Sequence, residues 1–263
     1  MSRNTGYLKL YGVGLKVGMA NIMAYRGDFF INFFIMLMAE LFAPIITFLI
    51  YRSGAAFPGW TLEEVMMIQG VFLLSKGIGY VFFFGLVDNT LFMVREGTFD
   101  LLLIKPRPVL FMSLVSGINV GDLGSIFSGL GVFILAATYL SGTTLMQWLL
   151  FLALFVMSLT VMLAFSIIMG STVIKWVGNG RVYEIFEAIS SFGLYPKSIY
   201  GKAFANIISF IIPLSIIGFI PAAVLLGRPV TGIWISVIVS ILFLILSTRI
   251  WKMMMKYYTS AGG

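Results

Sequence analysis

Residues 145–172 read LMQWLLFLALFVMSLTVMLAFSIIMGST, a run without one charged residue. About 20 consecutive apolar residues in a helix cross the hydrocarbon of a bilayer, so this stretch is a membrane span. Upstream, a tight Ser141–Thr144 turn separates it from a third apolar run, about Leu110 to Leu140. Downstream, the last span covers about Thr231 to Met254, with Arg249, Lys252 and Lys256 reaching for headgroups at one end. The composition agrees, with 60% hydrophobic and 10% charged residues in 263, and a mean hydropathy of +1.05. A soluble domain carries roughly 45–50% apolar residues. The net charge of +7 reads as Lys and Arg in cytoplasmic loops over anionic lipid rather than as a nucleic-acid surface.

The first span runs from about Phe29 to Tyr51, interrupted by Glu40 and Pro44. The second runs from Thr61 or Leu62 to Val87, with Glu63 and Glu64 in its first turn, where carboxylates suit the helix dipole. The third carries Ser113, Gly117, Gly121, Ser125 and Ser128 on one face, and its Gly117–Gly121 pair predicts close helix packing. Two readings stay open for 173–227. In one, Lys175 to Lys202 is cytoplasmic and Phe204 to Leu226 is the fifth span. In the other, Arg181 to Tyr195 is the fifth helix, and Pro196 to Gly227 forms a broken, re-entrant hairpin.

Residues 1–27 form no span. Leu8, Tyr11, Leu15, Met19 and Ile22 recur at helical spacing, which predicts an amphipathic helix lying in the cytoplasmic interface. No small-residue cleavage site follows a short apolar region near the start, so no cleavable signal is expected. The expected fold is all-α: a polytopic membrane protein of about six transmembrane helices, residues 28–258, behind an N-terminal interfacial amphipathic helix. Both termini are expected on the cytoplasmic side.

Charge inside a span is expensive, about 2.5–3.5 kcal/mol or more at the bilayer centre. Glu40, Lys76 and Asp122 come at similar heights, so Glu40 or Asp122 is expected to neutralise Lys76. Glu184 and Glu187, three apart, either attract a cation near the inner mouth or begin a solvated helix. Phe83, Phe192, Tyr195 and Tyr200 are candidates for a substrate path. The chain has no Cys and no His, which removes thiolate and imidazole chemistry, and no metal site is expected. It has no G-x-x-x-x-G-K-[ST] to cradle ATP and no H-E-x-x-H or G-x-S-x-G to hydrolyse a bond, so an enzyme is not expected.

One segment differs from all the rest: Arg95-Glu-Gly-Thr-Phe-Asp-Leu-Leu-Leu-Ile-Lys-Pro-Arg-Pro108. Asp100 to Ile104 predicts a short helix, stopped by Pro106 and Pro108. Arg95, Lys105 and Arg107 place it on the cytoplasmic side. This segment, with the interfacial helix and the proline-broken stretch before the last span, resembles the ABC-2 type transporter permeases, closest to the drug or viologen exporter branch. The resemblance covers most of the chain and favours the re-entrant reading of 196–227. It implies a permease subunit in the inner membrane of a prokaryote that exports an amphiphilic, lipid-like or drug-like substrate by alternating access. A separate ATP-binding cassette subunit would hold ATP and Mg, this chain binding no cofactor. A second permease, identical or related, would complete a dimer. The coupling segment would be 88–109, with Arg95, Glu96, Phe99, Asp100, Leu101, Leu102 and Leu103 receiving the ATPase. A non-transporting membrane scaffold is the alternative.

Overall fold

In the computed structural model, residues 6–176 and 181–259 are described. Residues 1–5 of the expected interfacial helix and 177–180 of the ambiguous stretch lie outside them. Among the described residues there are helices and no strands, and five helices are long and apolar enough to cross a membrane. The chain begins with α1 (Tyr7–Ala24) and α2 (Arg26–Arg52), which runs through Pro44 and Glu40 without interruption. A long composite helix, α3 (Leu62–Arg95), follows and contains a π turn at Tyr80–Phe84. After it come α4 (Asp100–Leu103), α5 (Val109–Ser116), α6 (Val120–Ala137) and α7 (Leu145–Lys175). Short helices α8 (Val182–Ser190), α9 (Lys202–Phe210) and α10 (Phe219–Leu225) precede α11 (Ile233–Met254).

Two spans start on reciprocal caps. Glu64 N donates to Thr61 Oγ1 at 3.4 Å while Thr61 N donates to Glu64 Oε2 at 3.0 Å. Thr144 and Gln147 repeat the arrangement at the head of α7. Each cap satisfies N–H groups that no helix turn can reach.

The second span is longer than the sequence predicts. Residues 88–95 continue α3, so the expected coupling segment begins inside a helix. The third is broken rather than continuous. Gly117 to Asn119 separate α5 from α6, and the Asn119 side chain accepts from Gly121 N at 3.1 Å. Gly and Asn are weak helix formers and good termini, and here the backbones explain the glycine. A Cβ on Gly85 would collide with the Gly117 carbonyl oxygen. Gly117 therefore serves a crossing of α3 over the α5–α6 break, whereas Gly121 faces Asn119 and Asn32, so the two do not form a packing stripe along one helix.

Between 182 and 225 no single long helix forms. The succession α8, α9, α10, joined by Pro196 and Pro213 turns, follows the broken reading, and Phe204 to Leu226 is not a span. Pro213 and Pro221 lie in its buried part; irregular backbone at membrane depth is tolerated when protein covers it.

The core is built around α3, whose span is 67% buried, against 11% for α2. α3 lies along α6, and α7 along α11. Glycines set the first approach, since a Cβ at Gly77 would be 2.7 Å from Ser125 O, and one at Gly129 would run into Leu74 N. α2 also meets α6 at a glycine, since a Cβ at Gly124 would run into Phe33 O, and polar ties hold it at three heights: Asn32 to Asp122, Glu40 to Lys76, and Gln69 to Thr47 at 2.8 Å.

α1 packs on the α5–α6 break through Gly14, Gly18 and Ile22, Tyr11 reaches α3 and Leu15 is half-buried, whereas Leu8 and Met19 of the expected stripe are exposed. Tyr7 stacks edge-on to Phe111, and Arg107 lies 5.0 Å from the Tyr7 ring. Tyr258, near the other terminus, meets Phe99 at 5.0 Å. The first and last described segments therefore gather at one end of the bundle, around 95–111.

Candidate functional site

Between α2, α3, α8 and the α5–α6 break lies a polar cavity of about 630 Å³. Its charged walls are Glu40, Lys76, Asp88, Asp122 and Glu187, with Tyr80, Phe84 and Tyr183 as aromatic walls. The helices that build it present side chains at four-residue intervals. Asn32, Met36 and Glu40 climb α2; Lys76, Tyr80, Phe84 and Asp88 descend α3; Tyr183 and Glu187 share a face of α8. Residues four apart lie on one side of a helix.

Lys76 is the centre. Its Nζ stands 3.1 Å from Glu40 Oε1 and 2.8 Å from Glu187 Oε2. The Lys76 and Glu40 side chains are almost covered, while that of Glu187 is 42% exposed. The Tyr80 hydroxyl donates to Glu187 Oε1, and Lys76 lies 5.3 Å from the Tyr80 ring centre. The expected pairing of Lys76 with Glu40 is present. Asp122 is not its partner: Asp122 accepts from Asn32 Nδ2 at 3.3 Å and from Asn119 Nδ2 at 3.0 Å. The α5–α6 break explains this, because it removes Asp122 from the regular helix that the height comparison assumed. Glu187 takes the second place on Lys76 instead. Neither expectation for Glu187, a solvated helix start or an inner-mouth cation trap, included this pairing.

Below Lys76 the π turn supplies acceptors. An i→i+5 turn leaves carbonyls off the regular ladder, and other elements use them. Asn119 N donates to Val81 O at 2.9 Å, and the Tyr11 hydroxyl reaches Phe82 O at 3.5 Å. The Tyr183 hydroxyl stands 2.8 Å from Asp88 Oδ2 and 3.1 Å from Phe84 O, with one proton to give. Thus α1, the α5–α6 break and α8 all meet α3 where it changes pitch.

The four aromatics expected along a substrate path do not line this cavity. Phe83 packs against the core, Phe192 and Tyr200 cluster with Phe204, and Tyr195 meets Phe57. The cavity's own rings, Tyr80, Phe84 and Tyr183, sit at the same four-residue spacing as its charges, which is the signal that could have found them.

The segment after α3 turns on Gly97, whose φ is +67°, with Thr98 N and Phe99 N both donating to Met93 O. α4 forms as predicted. Phe99 and Leu102 are fully buried, so their side chains are turned away from any docking partner; Leu101, Leu103 and Ile104 are exposed, Ile104 at 79%. Arg95 and Glu96 are exposed at the end of α3 and the start of the turn. Burial and the neighbouring Asp100 carboxylate push the Tyr258 hydroxyl above its ordinary pKa, because both disfavour the phenolate.

The opposite end is tied by side chains. Arg228 holds Glu64 bidentately, Nε to Oε1 at 2.7 Å and Nη2 to Oε2 at 2.6 Å, and donates to Gly59 O. This hydrogen-bonded carboxylate raises the Arg228 pKa further. The guanidinium lies 5.0 Å from the Trp60 ring, and Trp60 Nε1 donates to Ser198 Oγ at 2.9 Å.

The family model described as ABC-2 family transporter protein covers residues 34–262. The chain belongs to that family. Neither a curated protein nor a solved structure matches it significantly. As an ABC-2 family membrane component, the chain is a transporter subunit in a multi-pass topology, and membership implies an ATPase partner. Among the described residues no group of acidic side chains could hold a metal ion.

Proposed function

We propose that this ABC-2 protein is a permease subunit that exports an amphiphilic, lipid-like or drug-like substrate by alternating access. The cavity around Lys76 carries the reading. A membrane protein holds charges at this depth at a cost of several kcal/mol, and four carboxylates there face one ammonium. That excess favours a positively charged head on the substrate, with Tyr80, Phe84 and Tyr183 offering ring faces to a cation. ATP and Mg would sit on a separate cassette subunit. It would dock on the exposed Leu101, Leu103 and Ile104 with Arg95 and Glu96 alongside, and push on α3. A second permease, identical or related, would complete the dimer in a prokaryotic inner membrane, and the basic segments support a cytoplasmic side for both termini.

The test is purification of the tagged chain from native membranes in mild detergent, with ATPase activity assayed. A nucleotide-binding subunit should come with it, and Leu101→Asp or Ile104→Asp should release that subunit while the permease keeps its melting temperature. ATPase turnover should rise with an amphiphilic cation and less with its neutral analogue. Recovery of the chain without any ATPase would sink the reading in favour of a scaffold.

A further inference from the structure

At the end of the bundle away from the termini, α2, α3 and α6 leave a groove of about 360 Å³, separate from the Lys76 cavity. Its walls are apolar, among them Pro44, Phe48, Met66, Val132 and Leu135. Phe48 and Leu135 are 41% and 67% exposed, so the groove opens sideways to the bilayer. A polar hollow of about 540 Å³ adjoins it, formed with Ser141, Thr143 and Gln147. Glu63, Ala136 and Tyr139 line both. The two spaces together have the polarity of one amphiphile: a dry slot that suits hydrocarbon, and beside it a wet recess at the helix ends.

The charges at this junction are unmatched. Toward this end and the middle of the bundle, Arg228 pairs with Glu64, and Lys76 with Glu40 and Glu187. Glu63 is in none of them, although its neighbour Glu64 is. Nor is Arg52, which ends α2 and lies 6.0 Å from the ring of Phe48, a wall of the groove. One carboxylate and one guanidinium thus flank the slot without pairing to each other.

We propose that the groove binds a membrane phospholipid whose head carries a phosphate and a primary ammonium. An acyl chain fills the apolar slot, Arg52 takes the phosphate, and Glu63 accepts from the ammonium N–H groups. Guanidinium suits phosphate oxygens, and a carboxylate gains most from a charged N–H donor. A quaternary ammonium offers no such donor, and a glycerol head offers no cation. The site is independent of the transport reading, since it needs neither ATPase nor substrate.

The experiment uses the full chain alone, reconstituted with equal amounts of synthetic phospholipids that share acyl chains and differ in head: ethanolamine, choline or glycerol. Native mass spectrometry then counts what stays bound. The ethanolamine lipid should be retained over the other two. Glu63→Gln should lower its retention about fivefold, the scale of one exposed charge pair, lower that of the choline lipid less, and not lower that of the glycerol lipid. Arg52→Gln and Leu135→Trp should lower all three, with melting temperatures confirming the fold. Equal retention of the three heads, or indifference to Glu63→Gln, overturns the proposal. A second copy covering the groove also overturns it. In this cysteine-free chain that outcome appears as Leu135→Cys dimers and as lipid retention untouched by the groove variants.

Discussion

The two ends of this bundle handle charge in opposite ways. Near the termini, Lys76, Glu40 and Glu187 hold each other around a cavity within the spans. At the far end, Arg228 and Glu64 hold each other at the rim, with Arg228 40% exposed, and tie the loop before α3 to the one after α10. The geometry of the second pair is better, yet water and ions screen it. The first pair has nowhere else to put its charge. Good geometry at a surface makes a clasp that opens cheaply, while modest geometry at depth makes a lock whose parts cannot be removed singly.

The sharpest way to break this comparison is Lys76→Met. It strands two carboxylates, and equilibrium unfolding in mixed micelles should show a loss of about 3 kcal/mol, the low end because Glu187 is partly exposed. Adding Glu40→Gln should recover most of that loss; strictly additive losses would mean the pair is not coupled. Next in size comes Tyr183→Phe, which removes a donor shared by Asp88 and Phe84 O. A hydrogen bond to a charged group is worth about 1.5 kcal/mol, and the same unfolding assay should register it. The smallest effect belongs to the far end. Arg228→Ala should cost about 0.5–1 kcal/mol and less in high salt. A loss equal to that of Lys76→Met, insensitive to salt, would erase the distinction between clasp and lock.

How far the molecule is legible in its sequence depends on what each feature rests on. Long apolar runs and terminal caps are local, so α2, α7 and α11 lie close to where the sequence puts them, and Asp100 does begin a short helix. Glu40 and Lys76 are also legible, because a charge in a span needs a partner at its own height. Asp122 departs from its expected pairing for a tertiary reason: the α5–α6 helix breaks so that Gly117 can cross Gly85, and no property of residues 110–140 alone requires that crossing. Glu187 escapes a reading by spans because its helix is too short to register as one, so its sequence resembles a solvated helix start. Phe99 and Leu102 look like docking residues on a helical wheel, but the chain's own Tyr258 end covers that side of the segment. A four-residue comb nevertheless runs through the amino-acid sequence. Asn32 and Glu40, Lys76 with Tyr80, Phe84 and Asp88, and Tyr183 with Glu187 share that spacing, which marks the cavity's faces from residue order alone.

That comb has a consequence for length. The turn from Tyr80 to Phe84 closes i→i+5, so it contains one residue more than an α turn needs. The surplus lets Lys76 and Asp88 keep a common side across twelve positions, where a regular helix of 3.6 residues per turn would drift around its axis. Shortening the chain by one residue there would straighten the rod and rotate everything below it against everything above. In an alignment, a relative without the surplus would therefore differ by a single gap in the middle of a membrane span, where gaps are ordinarily taken for errors.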